Sequence, residues 1–484
     1  MKRLAGLFVL FCMLAPLGIT AAGAELAEDI TAACTVIADG VENGRLTDNS
    51  VYTYAEVKEL EISSDKDIYG IYIKFDKECS PWVLKANGKV SAKGLDGFLH
   101  QYVGIDGAKN ISISFAEDTL VADIFVFGQG ELPDFVQVWE KAENADIMVC
   151  PTHSDDDQLY FAGMIPWCVA NGYKVQVVYL TNHLDTHDRP HELLDGLWHC
   201  GLKYYPHVSP FPDIYSESFE QAKQLYETRG YEYEKFVDYY ATLLQKYKPL
   251  VVAGHDANGE YGHGMHILSF NALTDAVKFS AESGLWDVPK TYIHLWAENS
   301  VVFDWDEPLE YFNGRSAFNV SQEGFGFHLS QHRFTGLTSW IFGTDYAPIS
   351  LASQIRSLSP CRFGLYRSTV GMDTVSNGIF ENLDEYFKEE SSVESSTEES
   401  FESEESDSLS ESDYEESEET SIIVEETTNE LTSEEETEAS NMQIVVEKSE
   451  QNTENKRDMF PLLLLGAAAV CLGIHIIVKR NSKD

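Results

Sequence analysis

Two short stretches gather the side chains that metal binding and proton transfer need. The first is Thr152-His153-Ser154-Asp155-Asp156-Asp157. The second is His255-Asp256-Ala257-Asn258-Gly259-Glu260-Tyr261-Gly262-His263-Gly264-Met265-His266. One imidazole and one carboxylate from the first stretch, with an imidazole from the second, form an N/O ligand set. Such a set suits Zn²⁺ and leaves a coordination position open for water. A spare carboxylate beside the ligands can take a proton from that water, and a spare histidine can stabilise an oxyanion or protonate a leaving amine. His263 and His266 are three residues apart and share a face if a helix begins there. Three consecutive aspartates are costly to gather unless a cation neutralises them. Taken singly, each cluster has a plainer reading: an Asp run suits a surface or calcium-binding loop, and His-x-x-His arises by chance.

Both clusters follow apolar segments of strand length. Asp146–Cys150 precedes the first and Leu250–Ala253 the second. Gln158–Ala170 has helical apolar spacing and stops at Asn171-Gly172; Lys174–Leu180 reads as a strand. Leu193–Cys200 lies on a helix ending at Gly201, a further helix is expected over Met265–Val277, and a strand over Thr291–Trp296. Alternation of this kind predicts an α/β domain over residues 145–386, with helices flanking a mainly parallel, Rossmann-like sheet. Ligands of such sheets sit at the carboxyl ends of the strands. Residues 25–138 read differently. Period-two alternation in Tyr69–Phe75, Ile111–Phe115 and Val121–Phe127, punctuated by Asn87-Gly88, Asp96-Gly97 and Asp106-Gly107, predicts a β-sandwich.

The chemistry-bearing stretches resemble a known family. Thr152–Asp157 is similar to the His-Pro-Asp-Asp-Glu motif of the PIG-L/LmbE-like N-acetylglucosaminyl deacetylases, and Gly259–His266 to their Gly-x-Tyr-Gly-His-Pro-Asp-His motif. Arg189-x-x-Glu192 and His328-Leu329-Ser330-Gln331 resemble two further segments, so four motifs occur in order over residues 145–380. The resemblance implies His153, Asp156 and His266 as ligands of Zn²⁺, or of another divalent metal such as Fe²⁺. It implies Asp155 as general base, His263 as the histidine that stabilises the tetrahedral intermediate, and Tyr261 as a residue approaching the substrate carbonyl. Arg189 is a substrate contact or, alternatively, a salt-bridge partner of Glu192 or a neighbour. Three positions depart from the pattern. Ser154 replaces Pro, Asp157 replaces Glu, and Gly264-Met265 replaces Pro-Asp. The last removes the carboxylate that would orient His263, leaving Glu260 or Asp256 as the nearest substitutes. The pattern from Leu46-Thr47-Asp48 through Gly70–Phe75 to Trp82 resembles discoidin-like, galactose-binding-like domains, which implies glycan binding; a packing or spacer role fits that segment as well.

Composition frames these units. The chain has 484 residues, 43% of them hydrophobic, and a formal net charge of −46. From Glu389 to Glu454 it carries 25 acidic residues against one lysine, so about half the charge sits in a Ser/Glu-rich stretch. That stretch, within residues 387–457, is expected to be a disordered, self-repelling stalk. So acidic a chain should repel nucleic acid. Lys2 and Arg3, an apolar run and Ala22-Gly23-Ala24 predict a signal peptide over residues 1–24. Residues 460–478 are apolar and long enough to span a bilayer, with 479–484 as a cytoplasmic tail. The expectation is therefore a single-pass cell-surface protein with its catalytic unit outside.

Of the exported cysteines, Cys34 and Cys79 could pair, while Cys150, Cys168, Cys200 and Cys361 show no C-x-x-C spacing. Trp167, Trp198 and Trp296 read as core, and His183 and His187 as solvated loop residues unless they line the cleft. P-loop, G-x-G-x-x-G and G-x-S-x-G patterns are missing, so nucleotide and serine-hydrolase chemistry have no support. The expected function is removal of an N-acetyl group from an N-acetylglucosamine-containing glycan or glycoconjugate. The alternative is a non-catalytic, metal-containing glycan-binding surface protein.

Overall fold

Residues 34–127 form strands where branched and aromatic side chains alternate, and they turn where the backbone goes left-handed. Asn87 (φ 50°) and Gly88 (φ 76°) make the tight turn between β4 (Trp82–Ala86) and β5 (Lys89–Lys93), as the Asn-Gly pair predicts. These strands belong to a six-stranded sheet with β1 (Cys34–Ala38), β2 (Val41–Glu42) and two long, bent strands, β3 (Ala55–Phe75) and β6 (His100–Phe127). Leu60 faces Ile113, Glu61 faces Ser112 and Ile62 faces Ile111. Further along, Ile71 lies between Val126 and Val103, so each long strand changes partners as it bends. A computed structural model provides these coordinates and describes residues 25–375 and 377–387. The expected signal peptide, membrane span and tail, and all but the start of the expected stalk, lie outside the described residues. Among the described residues no helix is long and apolar enough to cross a membrane.

The second sheet has seven strands and is built for a site. Its order is β12 (Ser300–Val302), the C-terminal strand Arg362–Ser368, β11 (Lys290–His294), β10 (Val251–Gly254), β7 (Ile147–Val149), β8 (Val175–Tyr179) and β9 (His207–Val208). The five strands from β11 to β9 pair in parallel, and Arg362–Ser368 joins antiparallel to β11 and β12. The chain leaves β7 toward β8 and later returns on its other side as β10. The loops after β7 and β10 therefore diverge and open a crevice at their carboxyl ends. On one face Met148, Val178 and Val252 share an apolar cluster with Tyr240, Leu244 and Leu268. The alternating residues Ile147, Val149 and Val177 are also fully buried, so both faces are covered.

Helices α1 (Asp156–Leu159) and α2 (Met164–Ala170) replace the single helix expected over 158–170. Gly163 interrupts it at φ 91°, where a Cβ would lie 2.4 Å from the Trp305 ring. Helix α3 (Arg189–His199) starts earlier than its apolar spacing suggests, because Asp188 caps it and Pro190 fits its first turn. Helices α4 (Phe219–Glu227) and α5 (Tyr233–Tyr247), not anticipated, bury aromatic side chains in the cluster above. All six described cysteines are free, so Cys34 and Cys79 do not pair. Trp167, Trp198 and Trp296 are half-buried, and Trp305 fills the core instead.

The β-rich part and the α/β part lie in one compact unit, through Arg333 together with Thr344–Asn382. Phe334–Gly343, which contains the helix Thr335–Phe342, belongs to a second unit with the residues from Leu383.

Candidate active site

The loops after β7 and β10 meet. The Thr152 N–H donates to Nε2 of His255 at 3.0 Å, tying one loop to the other. At the junction Nδ1 of His153, Oδ2 of Asp156 and Nε2 of His266 form a triangle with sides of 3.1, 3.1 and 3.3 Å. Such a triangle admits a point about 2.1 Å from each atom, the zinc–ligand distance. The triad expected from sequence is thus brought together, and all three residues are buried.

The outward nitrogens explain why these atoms face one another. Nδ1 of His266 lies 2.6 Å from Oε2 of Glu260, and Nε2 of His153 lies 3.3 Å from Oδ1 of Asp213. A ring that gives its one N–H to an outward carboxylate turns a bare lone pair inward. Three lone pairs then converge, an arrangement that repels unless a cation sits among them, and carboxylate-backed histidines are the usual support of a metal. Without a metal a proton meets the same demand. Burial lowers the proton affinity of His153, but Asp213 and Asp156 outweigh it and raise its pKa to about 9. The Asp156 carboxyl, despite its burial, is held well below the usual range by His266 and His153.

Two other histidines stand close enough to ligate, since His263 groups with His153 and His266, and His255 with Asp156 and His266. Their hydrogen bonds assign them elsewhere. Nε2 of His255 already accepts from Thr152, and its Nδ1 lies 3.1 Å from Oε1 of Glu260. Nδ1 of His263 accepts the Met265 N–H at 3.2 Å at the start of the Gly264–Glu282 helix. Burial, His266 and His153 push the His263 pKa well below its ordinary value. A neutral His263 accepting at Nδ1 carries its proton on Nε2 and is a hydrogen-bond donor. The orienting carboxylate missing from position 265 is therefore replaced by a backbone N–H, and neither Glu260 nor Asp256 takes that role.

Gly264 shows why the sequence departs here. Its N–H donates to the Ser216 carbonyl at 2.9 Å, and a Cβ would lie 2.4 Å from the Ser218 carbonyl oxygen. Proline meets neither condition, and Met265 is wholly buried in the apolar cluster.

Glu260 is the centre of the surrounding shell. Its carboxylate reaches Nδ1 of His255, His266 and His294, and it accepts the Asp256 N–H. It does so from φ 55°, ψ −80°, a strained conformation.

Asp155 is buried beside the triangle, and Nη2 of Arg189 lies 3.3 Å from its Oδ1. Burial raises its pKa against the pull of Arg189. Arg189 also stands 3.7 Å from Asp213, while Glu192 accepts from the Ser330 N–H and hydroxyl. The Arg-x-x-Glu and His-x-Ser-Gln segments thereby meet. Tyr261 lies at the rim, 48% exposed, its ring 5.6 Å from that of His263. Asp157 is buried, which drives its carboxyl well above the usual range. His183 is buried too, accepting the Ser154 N–H at 3.3 Å, and His187 rests on Asp76. Sequence reasoning missed Asp213, which carries no motif, and the shared role of His255, Glu260 and His294.

Comparison with protein-family models finds no match. Over 50 residues the chain is 50% identical to 1D-myo-inositol 2-acetamido-2-deoxy-alpha-D-glucopyranoside deacetylase of Nocardia farcinica. The match covers 10% of this chain and 16% of that protein. Among solved structures, a deacetylase in the biosynthesis pathway of teicoplanin is 13% identical, with 40% of this chain and 88% of that chain covered and a TM-score of 0.30. The 4-carboxy-2-hydroxymuconate hydratase of Pseudomonas putida KT2440 is also 13% identical, with 49% and 100% covered and a TM-score of 0.28. The reaction must therefore be argued from the site.

Proposed function

We propose that this protein hydrolyses the acetamide of an N-acetylated amino sugar in a glycan or glycoconjugate. The observation that carries the proposal is the triangle of His153, Asp156 and His266, two of its corners backed by the carboxylates of Asp213 and Glu260. A divalent cation held by these three residues, with Zn²⁺ fitting the donor set and Fe²⁺ an alternative, supplies Lewis acidity to the carbonyl and acidity to water. The short match to an acetamido-sugar deacetylase agrees with this substrate class.

The chain's own groups fit the remaining steps. Arg189 engages Oδ1 of Asp155, leaving Oδ2 to take a proton from the attacking water. Burial raises the proton affinity of Asp155 toward what a base at neutral pH needs. His263 donates Nε2–H to the carbonyl oxygen as negative charge builds there, while Tyr261 bounds the approach from the rim. Since His263 is neutral, Asp155 is also the group that passes a proton to the departing nitrogen. In this reading Arg189 and the partly exposed Asp213 bind sugar hydroxyls. We further propose a β-sandwich for residues 25–138, and an extracellular site anchored through residues 460–478.

The test is acetate release from N-acetylglucosamine oligomers by the purified full-length protein. Asp155→Asn should lower turnover by about 10²- to 10⁴-fold while leaving bound metal unchanged. Wild-type protein that binds the oligomers without releasing acetate would establish the glycan-binding alternative instead.

A further inference from the structure

Helix α3 carries Arg189 into the site, yet much of what holds it lies in the β-rich part of the chain. Asp188, His191 and Asp195 recur at helical spacing and form one stripe. The Tyr52 hydroxyl donates to Oδ2 of Asp188 at 2.8 Å, and Nε2 of His100 meets Nδ1 of His191 at 2.7 Å. Lys74 lies 3.6 Å from Asp195, whose other oxygen accepts from Gln137 at 2.6 Å. Just before the helix, His187 bonds to Asp76, a buried residue of the β-rich part, and its ring lies 4.6 Å from that of Tyr54.

A different face of α3 belongs to the site. Arg189 spans Asp155 and Asp213, and Glu192 holds Ser330. One turn on, Gly196 sits so close to Gln158 that a Cβ would lie 2.7 Å from its amide nitrogen, which leaves the helix little room to shift. Asp188 accepts the Arg189 N–H at 3.0 Å while holding Tyr52. The contact that ends on the β-rich part is thus one residue from the guanidinium.

We propose that the β-rich part is a working portion of the catalytic site, with Tyr52 and Asp76 acting as positioning residues that keep Arg189 on Asp155 and Asp213. This rests on the deacetylase reading for its kinetic consequence but not for its structural one. The polar character of the contacts matters. A hydroxyl–carboxylate bond and a carboxylate–imidazole bond fix direction as well as distance, whereas apolar contact would let the helix end slide. Arg189 is the proposed substrate contact, while Asp155 is buried in its own loop beside the triangle, so loosening Arg189 should weaken substrate binding more than chemistry.

The experiment uses the full-length protein with Tyr52→Phe and Asp76→Asn, alone and combined with Arg189→Lys. On N-acetylglucosamine oligomers each single variant should raise KM by about five- to tenfold with kcat within about twofold. In the Arg189→Lys background the same substitutions should add nothing, the non-additivity expected of residues acting through one group. Additive effects, or a kcat loss at constant KM, would overturn the proposal. Hydrogen exchange of residues 182–192 gives a readout independent of activity. It should quicken about tenfold in both variants while the strands β7 and β10 stay protected. Unchanged exchange there rejects the clamp. Absence of acetate release by the wild type rejects the deacetylase reading, and exchange alone then decides the clamp. Tyr52→Phe removes one oxygen from an exposed side chain, so it keeps the test valid if Asp76→Asn does not fold.

Discussion

Oε2 of Glu260 lies 2.6 Å from Nδ1 of His266, and this bond fixes which nitrogen of His266 faces His153 and Asp156. The same carboxylate also holds His255 and His294, so one buried negative charge orders three imidazoles. Nature tolerates a strained backbone at Glu260 (φ 55°, ψ −80°) where surrounding contacts over-determine it.

Glu260→Gln tests this arrangement. The amide keeps the size of the side chain but loses the charge, and it places a donor where an acceptor is needed. Metal affinity, measured by competition with a chelator, should fall about 10- to 100-fold. Unaltered affinity would mean that Glu260 only fills space.

The parts of the site that ligand chemistry dictates were readable in the sequence. His153, Asp155, Asp156, Tyr261, His263 and His266 follow apolar strand-length segments, and a parallel sheet brings such loops to one edge. What stayed hidden depends on tertiary contact. Asp213 sits among Pro210, Pro212 and Ile214 with no motif around it, and only the fold sets it beside His153. Glu260 binds residues five positions back and six and 34 positions ahead, a relation no local period encodes. The break at Gly163 follows from Trp305, which is remote in sequence. His183 and His187 belong to a polar loop by composition, yet Ser154 and Asp76 take them out of solvent or pin them.

His263 should behave as a donor rather than an acid. Its pKa lies well below the ordinary histidine value through burial, His266 and His153. His263→Ala should lower turnover about 10²- to 10³-fold, the effect of removing one oxyanion donor. His263→Gln, whose amide can still donate, should recover part of that loss. Equal loss in the two variants would instead indicate that proton delivery by imidazolium is required.

Acid should loosen the contact between α3 and the β-rich part. His191 is buried, and burial together with Lys74 lowers its pKa to about 3; His100, its partner, is also pushed well below the ordinary value. The unfolded chain therefore binds these protons first as pH falls. The associated stability is complete above about pH 6.5 and declines as pH drops toward 3. Its size is on the order of a few kcal/mol. Urea midpoints recorded from pH 7.5 to 4 should fall for the wild type and fall less for His191→Asn. Parallel slopes for the two proteins would remove these histidines as the cause.

Introducing the Pro-Asp pair of the deacetylase motif that this segment resembles, at positions 264 and 265, should harm this protein rather than improve it. Gly264→Pro deletes the bond to the Ser216 carbonyl and sets ring atoms against the Ser218 carbonyl, where even a Cβ would lie at 2.4 Å. Met265→Asp removes a fully buried thioether from the cluster of Tyr240, Leu268 and Val252 and leaves a carboxyl in its place. Each change belongs to a class that costs about 2–5 kcal/mol. A carboxylate at 265 would offer His263 a partner only if the helix start rotated, and that helix also delivers His266 to the triangle. The double variant should therefore show a lower denaturant midpoint together with weaker metal binding. A variant with an unchanged midpoint and faster acetate release would show that Met265 is a deficiency of the site, and that the Met265 N–H is a poorer support for His263 than the missing carboxylate.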